Sequence, residues 1–197
     1  MQHRVQDEVK GIMAFIAVIW LVFLVSLVSP VNLLAYGVIP RTAWGLVGIV
    51  ASPFLHADWS HIVSNTVPLL VLLLLLAGSR ANSAKIVLLI ILLSGALLWL
   101  FGRPAIHVGA SGLIFGLMVF LVASGILERR PLPLLVSLLV GFMYGGSFLV
   151  GIAPRFGSLV SWDGHLLGAL AGGLVAYTLA SRQKPVKPTG DLTDLRT

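Results

Sequence analysis

Apolar runs of about 20 residues recur along the chain, and that is the length a helix needs to cross a hydrocarbon core of about 30 Å. In lipid every backbone polar group must be satisfied internally, so runs of this kind are confined to helices. Windows of about 19 residues place spans near 11–29, 61–79, 84–102, 111–128, 132–152 and 163–181. Of 197 residues only 10% are charged and 58% are hydrophobic, against about 25% charged in ordinary soluble domains. The expected fold is an all-α membrane protein, a bundle of six transmembrane helices forming one domain over 11–181. A segment 1–10 precedes it, and a polar, proline-bearing tail 182–197 reads as disordered. The first run exceeds a signal-peptide core and has no small-x-small cleavage site, so it counts as a span. The longest connection, 30–60, combines Pro30, Pro40 and Pro53 with Trp44, Leu46, Phe54 and Trp59. It is expected to be a structured loop hugging the membrane interface.

Six spans put both termini on one side. Arg4, Lys10, Arg80, Lys85, Arg129, Arg130, Arg182, Lys184, Lys187 and Arg196 then fall together, leaving Arg41, Arg103 and Arg155 opposite. By the positive-inside rule the termini are cytoplasmic and the 30–60 loop is outside. The net charge of +6 is read as loop charge that sets orientation in a bilayer, not as a nucleic-acid footprint. The chain has no cysteine, which excludes disulfides, thiolate metal ligands and cysteine nucleophiles. No metal or cofactor is expected.

Spans 2, 4 and 6 run from outside to inside, and their outer ends carry polar residues: His61 with Asn65, Ser111, and His165. Counting back from Arg80, Arg129 and Arg182 at 1.5 Å per residue, His61, Ser111 and His165 lie about 25–29 Å from the cytoplasmic face. Three helices thus bring polar groups to one depth, just beneath the outer surface. Ser111, in "HVGASGLIFG", opens its helix, beside backbone N–H groups that lack intrahelical partners and at the positive end of the dipole. Such donors can hold an oxyanion. A serine there is otherwise a small packing residue.

His165, in "SWDGHLLGALAGG", is an ionisable residue inside a span and therefore a functional candidate. Gly164, Gly168 and Gly172 on its helix, and Gly112 and Gly116 after Ser111, allow close approach of the two helices. That approach makes a serine nucleophile with a histidine base conceivable. His61 and Asn65, four apart in "HADWSHIVSN", share one helix face and suit oxyanion stabilisation. A metal reading of His56, His61 and Asn65 ranks low, because the H-E-x-x-H pattern is missing. His56 is expected to brace the outer loop. Asp163 is two residues from His165 and is expected on another face, so a Ser–His dyad is expected without a third acid. His107, four residues before Ser111, is a loop-end residue of unassigned role.

The set "HADWSHIVSN", "GASG" and "GHLLGALAGG", in this order and at matching depth, resembles the rhomboid family of intramembrane serine proteases over roughly residues 11–181. The resemblance implies Ser111 as nucleophile, His165 as base, and an oxyanion site of His61, Asn65 and the Ser111 backbone N–H. Gly109, Gly112, Phe115 and His56 would support the site. Phe115 stands where the family usually has a tyrosine stacked on the histidine. The family's Trp-Arg pair in the first outer loop is absent from "YGVIPRTAWGLVG", where Arg41 and Trp44 are the nearest counterparts. The implied partners are single-span membrane protein substrates and the lipid bilayer, with no nucleic acid. The implied location is a bacterial plasma membrane with the site opening to the extracytoplasmic side, and lateral entry is implied near "GFMYGG" in span 5. The alternatives are a catalytically inactive rhomboid-like protein that binds or chaperones membrane spans, and a small transporter. No inverted repeat or intramembrane acid supports the transporter.

Overall fold

The computed structural model describes residues 5–80, 82–154 and 160–182. The expected tail beyond Arg182, and Arg4, Arg155, Lys184, Lys187 and Arg196 of the charge count, lie outside the described residues. Among the described residues, six helices are long and apolar enough to cross a membrane. They are α1 (Val5–Val28), α2 (Trp59–Ser79), α3 (Ser83–Phe101), α4 (Ser111–Glu128), α5 (Pro131–Ile152) and α6 (Trp162–Arg182). Apart from the start of α1, every end lies within two residues of the position expected from hydropathy.

Local chemistry fixes the helix ends. Asp58 caps α2 by accepting the His61 N–H at 2.8 Å, satisfying one of the donors a helix leaves open at its start. Pro131 occupies the first turn of α5, where its missing N–H costs nothing. It follows Arg129, whose left-handed φ of 53° turns the chain out of α4.

α4 is the central helix and packs most closely against α6, then α5, α3 and α2. Its Leu113, Leu117 and Phe120 are among the fully buried side chains of the core. The α4/α6 seam is made of glycine. A Cβ added at Gly168 would lie 2.2 Å from the Gly112 carbonyl oxygen, and one at Gly172 would lie 1.9 Å from that of Gly116. Neither position tolerates a side chain at this separation, so the backbones touch directly.

α5 is held unevenly. At one end a Cβ on Gly125 of α4 would meet the Pro133 carbonyl at 2.5 Å and Ser137 Cβ at 2.4 Å, and Ser137 Oγ donates to the Val122 carbonyl at 3.1 Å. Further along, a Cβ added at Gly141, Gly145 or Gly146 would meet nothing within 4 Å beyond its own helix, and Phe142 is 90% exposed. Near the Gly125 end, the buried Arg80–Glu128 pair closes at 2.5 Å with the guanidinium 5.6 Å from the Phe120 ring. Ser83 also donates to the Glu8 carboxylate, tying α3 to α1.

The connection between α1 and α2 is structured, as expected. It contains single helical turns at Leu33–Tyr36, Trp44–Leu46, Gly48–Ala51 and Ser52–Phe54, and exposes Trp44, Leu46, Val47 and Val50. Arg41 fastens it to the end of α3, donating from Nη1 to the Leu100 and Gly102 carbonyls at 3.1 and 2.9 Å. A two-residue bridge fastens it to the loop before α4, with Val38 and His107 exchanging backbone hydrogen bonds of 2.9 Å each.

Candidate active site

Ser111 is the first residue of α4, preceded by the buried Ala110 with no side-chain cap. The first-turn N–H groups of α4 are therefore not consumed by a capping side chain. The loop reaches this point through Gly109, whose φ of 106° is a left-handed conformation that favours glycine. A Cβ at Gly109 would also lie 2.4 Å from His61 Nε2, so the missing side chain is what lets the His61 ring reach this loop. The sequence supplies Gly109 for both reasons at once.

His165 lies in the second turn of α6. Its ring stacks on Phe115 with centroids 4.2 Å apart and planes 3° apart. Phe115 is four residues after Ser111 and shares its helix face, so the imidazole lies alongside α4 one turn from the serine. His165 Nδ1 is 2.9 Å from the Gly151 carbonyl of α5. A carbonyl only accepts, so Nδ1 carries the proton and Nε2 of the neutral ring presents its lone pair. Ser111 and His165 are not joined by a direct hydrogen bond. In substrate-free sites catalytic hydrogen bonds are often long and tighten on binding.

His61 Nδ1 faces the Ala57 N–H at 3.5 Å, which leaves the proton on Nε2, the atom that lies against Gly109. Asn65 is buried one turn further along α2. Its Nδ2 spends one N–H on the His61 carbonyl at 2.7 Å and keeps a second, while Oδ1 has no partner among the described residues. His56 is 2% exposed and sits edge-on to His61, with centroids 5.0 Å apart. Burial, followed by repulsion from His61, pushes the His56 imidazole down to about 4, so its ring is neutral. The Phe54 carbonyl offsets part of that shift without forming a hydrogen bond of normal geometry. His56 thus braces the His61 ring through contact rather than through charge.

A cavity of about 30 Å³ adjoins Ser111 and is lined by Ser52, Ser94, His107, Gly109 and Ser161 among others. It has room for one or two water molecules. Its walls come from α3, the loop before α4 and the start of α6, and neither His165 nor His61 lines it.

The Rhomboid domain family profile matches residues 40–182. The chain belongs to the rhomboid family. It is 41% identical to the uncharacterized protein Rv1337 of Mycobacterium tuberculosis, over 89% of this chain and 77% of that protein. It is 37% identical to the uncharacterized protein ML1171 of Mycobacterium leprae, over 89% of this chain and 73% of that one. With six apolar helices long enough to span, this rhomboid is a multi-pass integral membrane protein.

Two features of the rhomboid site have no counterpart in the sequence reading. The Gly151 carbonyl that orients His165 is a backbone group, which leaves no trace in residue type. The second is the surrounding of His107. Asp163 makes no hydrogen bond with the His165 side chain; it accepts from the Arg103 N–H at 2.8 Å and pairs with Arg103 Nε at 3.2 Å, while His107 is 4% exposed beside it. Asp58 and Asp163 were both visible as outer acids. Which loop each served was not, because that depends on loop conformation.

Proposed function

We propose that this rhomboid is an intramembrane serine endopeptidase that cleaves single-span membrane proteins near the outer face of a bacterial plasma membrane. The observation that carries the reading is the state of His165, with its ring stacked on Phe115 one turn from Ser111 and its Nδ1 proton held on the Gly151 carbonyl. This arrangement leaves Nε2 as a base and prevents the ring from turning away.

Ser111 Oγ attacks the scissile carbonyl carbon as His165 Nε2 takes its proton. Negative charge develops on the carbonyl oxygen, where the Ser111 backbone N–H, His61 Nε2–H and the spare N–H of Asn65 are the available donors. Collapse of the intermediate breaks the C–N bond, and His165 returns the proton to the leaving amine. Water, deprotonated by His165, then releases the acyl group from Ser111. The cavity beside Ser111 supports access of that water. The uneven hold on α5 supports entry of a substrate span past its open half, around Gly141–Gly146. A substrate helix must unwind there, since helical peptide bonds are shielded and their backbone groups need partners in lipid. Residues 11–181 form the catalytic domain in this reading, with both termini cytoplasmic by the balance of loop charge.

The missing direct Ser111–His165 hydrogen bond favours a second reading, a non-catalytic member that binds membrane spans. Purified protein treated with a fluorophosphonate separates the two. Labelling that disappears in Ser111→Ala and His165→Ala supports the protease, whereas an unlabelled wild type leaves the binding protein. Cleavage of a reconstituted single-span substrate that persists in either variant would rule out the dyad.

A further inference from the structure

We propose that His107 is a positioning residue that clasps the loop leading into Ser111 to the first turn of the helix carrying His165, acting through Ser161. The inference rests on the protease reading above and concerns residues outside the reacting groups.

The His107 ring is buried between two oxygens, with Nε2 3.0 Å from the Arg103 carbonyl and Nδ1 2.7 Å from Ser161 Oγ. The carbonyl accepts, so Nε2 carries a proton and Nδ1 shares the remaining hydrogen bond with the Ser161 hydroxyl. Ser161 is held from three further directions. Its Oγ accepts the Gly164 N–H at 3.2 Å, its single hydrogen is offered in turn to His107 Nδ1 and to Asp163 Oδ1 at 3.2 Å, and its carbonyl accepts the His165 N–H at 3.0 Å. A displacement of Ser161 is therefore passed directly to the backbone of His165.

On the other side, His107 is four residues from Ser111, and its backbone is locked to Val38. Arg103 completes the clasp. Its N–H and Nε meet the Asp163 carboxylate, its Nη2 donates to the Val160 carbonyl at 3.2 Å, and its guanidinium lies 5.5 Å from the Trp162 ring. The glycine seam lower down sets how close α4 and α6 lie. This cluster joins their mouths, where serine and base must meet to within a few tenths of an ångström. His107 also lines the cavity beside Ser111, so the clasp sits against the nucleophile's own surroundings.

The test uses full-length protein with His107→Ala, His107→Gln, Ser161→Ala and the double alanine variant. It compares the rate of Ser111 phosphonylation, and kcat and KM on a labelled single-span substrate. Loss of alignment without loss of binding predicts that His107→Ala lowers kcat and phosphonylation about tenfold with KM within about twofold. His107→Gln, which keeps a donor and an acceptor, recovers most of the rate. The double variant is no slower than the slower single one, because both act along one path. A folded His107→Ala protein with the wild-type rate, or losses that multiply in the double variant, overturns the inference. If the wild type itself is not phosphonylated, the protease reading fails separately, and amide hydrogen exchange at Gly164 and His165 decides this one. Exchange must quicken in His107→Ala and not in His107→Gln, and equal exchange in all three proteins overturns it.

Discussion

The imidazole of His165 and the ring of Phe115 lie parallel, 4.2 Å between centroids, on two helices whose backbones touch. Aromatic pairs are worth about 0.5–1.5 kcal/mol beyond the area they bury. Phe115→Ala is therefore expected to lower kcat by about two- to tenfold, while Phe115→Tyr keeps the stack and the rate. Steady-state kinetics on a reconstituted substrate checks this. An alanine variant with unchanged kcat would mean that the Gly151 hydrogen bond alone aligns the base.

Gly109→Ala places a Cβ against His61 Nε2 and forces an alanine into left-handed backbone. Loss of one oxyanion donor costs about 10²–10³ in kcat, so in the oxyanion role proposed for His61 a fall of that order is expected with KM little changed. Gly78→Ala, where a Cβ meets nothing within 4 Å, serves as the matched control and should keep wild-type kinetics.

Arg80 and Glu128 are buried together, with side chains 10% and 7% exposed. Removing one partner strands the other's charge, so Arg80→Met is expected to destabilise by about 3–5 kcal/mol. Arg80→Met combined with Glu128→Leu removes both charges and should recover most of that loss. Thermal midpoints of the three proteins in one detergent give the comparison, and additive losses would show that the pair is solvated.

His56 titrates at about 4 in the folded protein, below the ordinary imidazole value of 6.5, because burial disfavours its charged form. The unfolded chain binds the extra proton first, so stability rises with pH through this interval. The contribution is complete above about 6.5 and is lost as pH falls toward about 4. His56→Phe keeps an edge-on ring beside His61 and should flatten the dependence of the thermal midpoint on pH between those limits. An unchanged slope would assign the acid sensitivity to other groups.

The six helices were legible because lipid leaves a backbone few options, and hydropathy alone located nearly every end. α1 begins earlier than expected because Asp7 and Glu8 sit in its first turn, where acids favour the helix dipole but depress a hydropathy window. The glycine seam was legible from spacing, whereas the Phe115–His165 stack was legible only through the resemblance to rhomboids, since spacing on one helix does not say which residue of another it meets. His107 was visible as a residue but not as a contact. Its partners Val38 and Ser161 lie far along the chain, in irregular segments with no periodicity. Arg41 was equally opaque, for its left-handed turn and its hold on the α3 carbonyls arise from loop shape.

The glycine seam also acts as a rotational index. An α-helix turns about 100° per residue, so rolling α4 or α6 by one position would bring a side chain to where Gly112 or Gly116 now presents a bare carbonyl. The interface admits one azimuth. Phe115 thus meets the His165 ring because no other rotation of the pair fits, and that stack is set before any polar contact at the site is made.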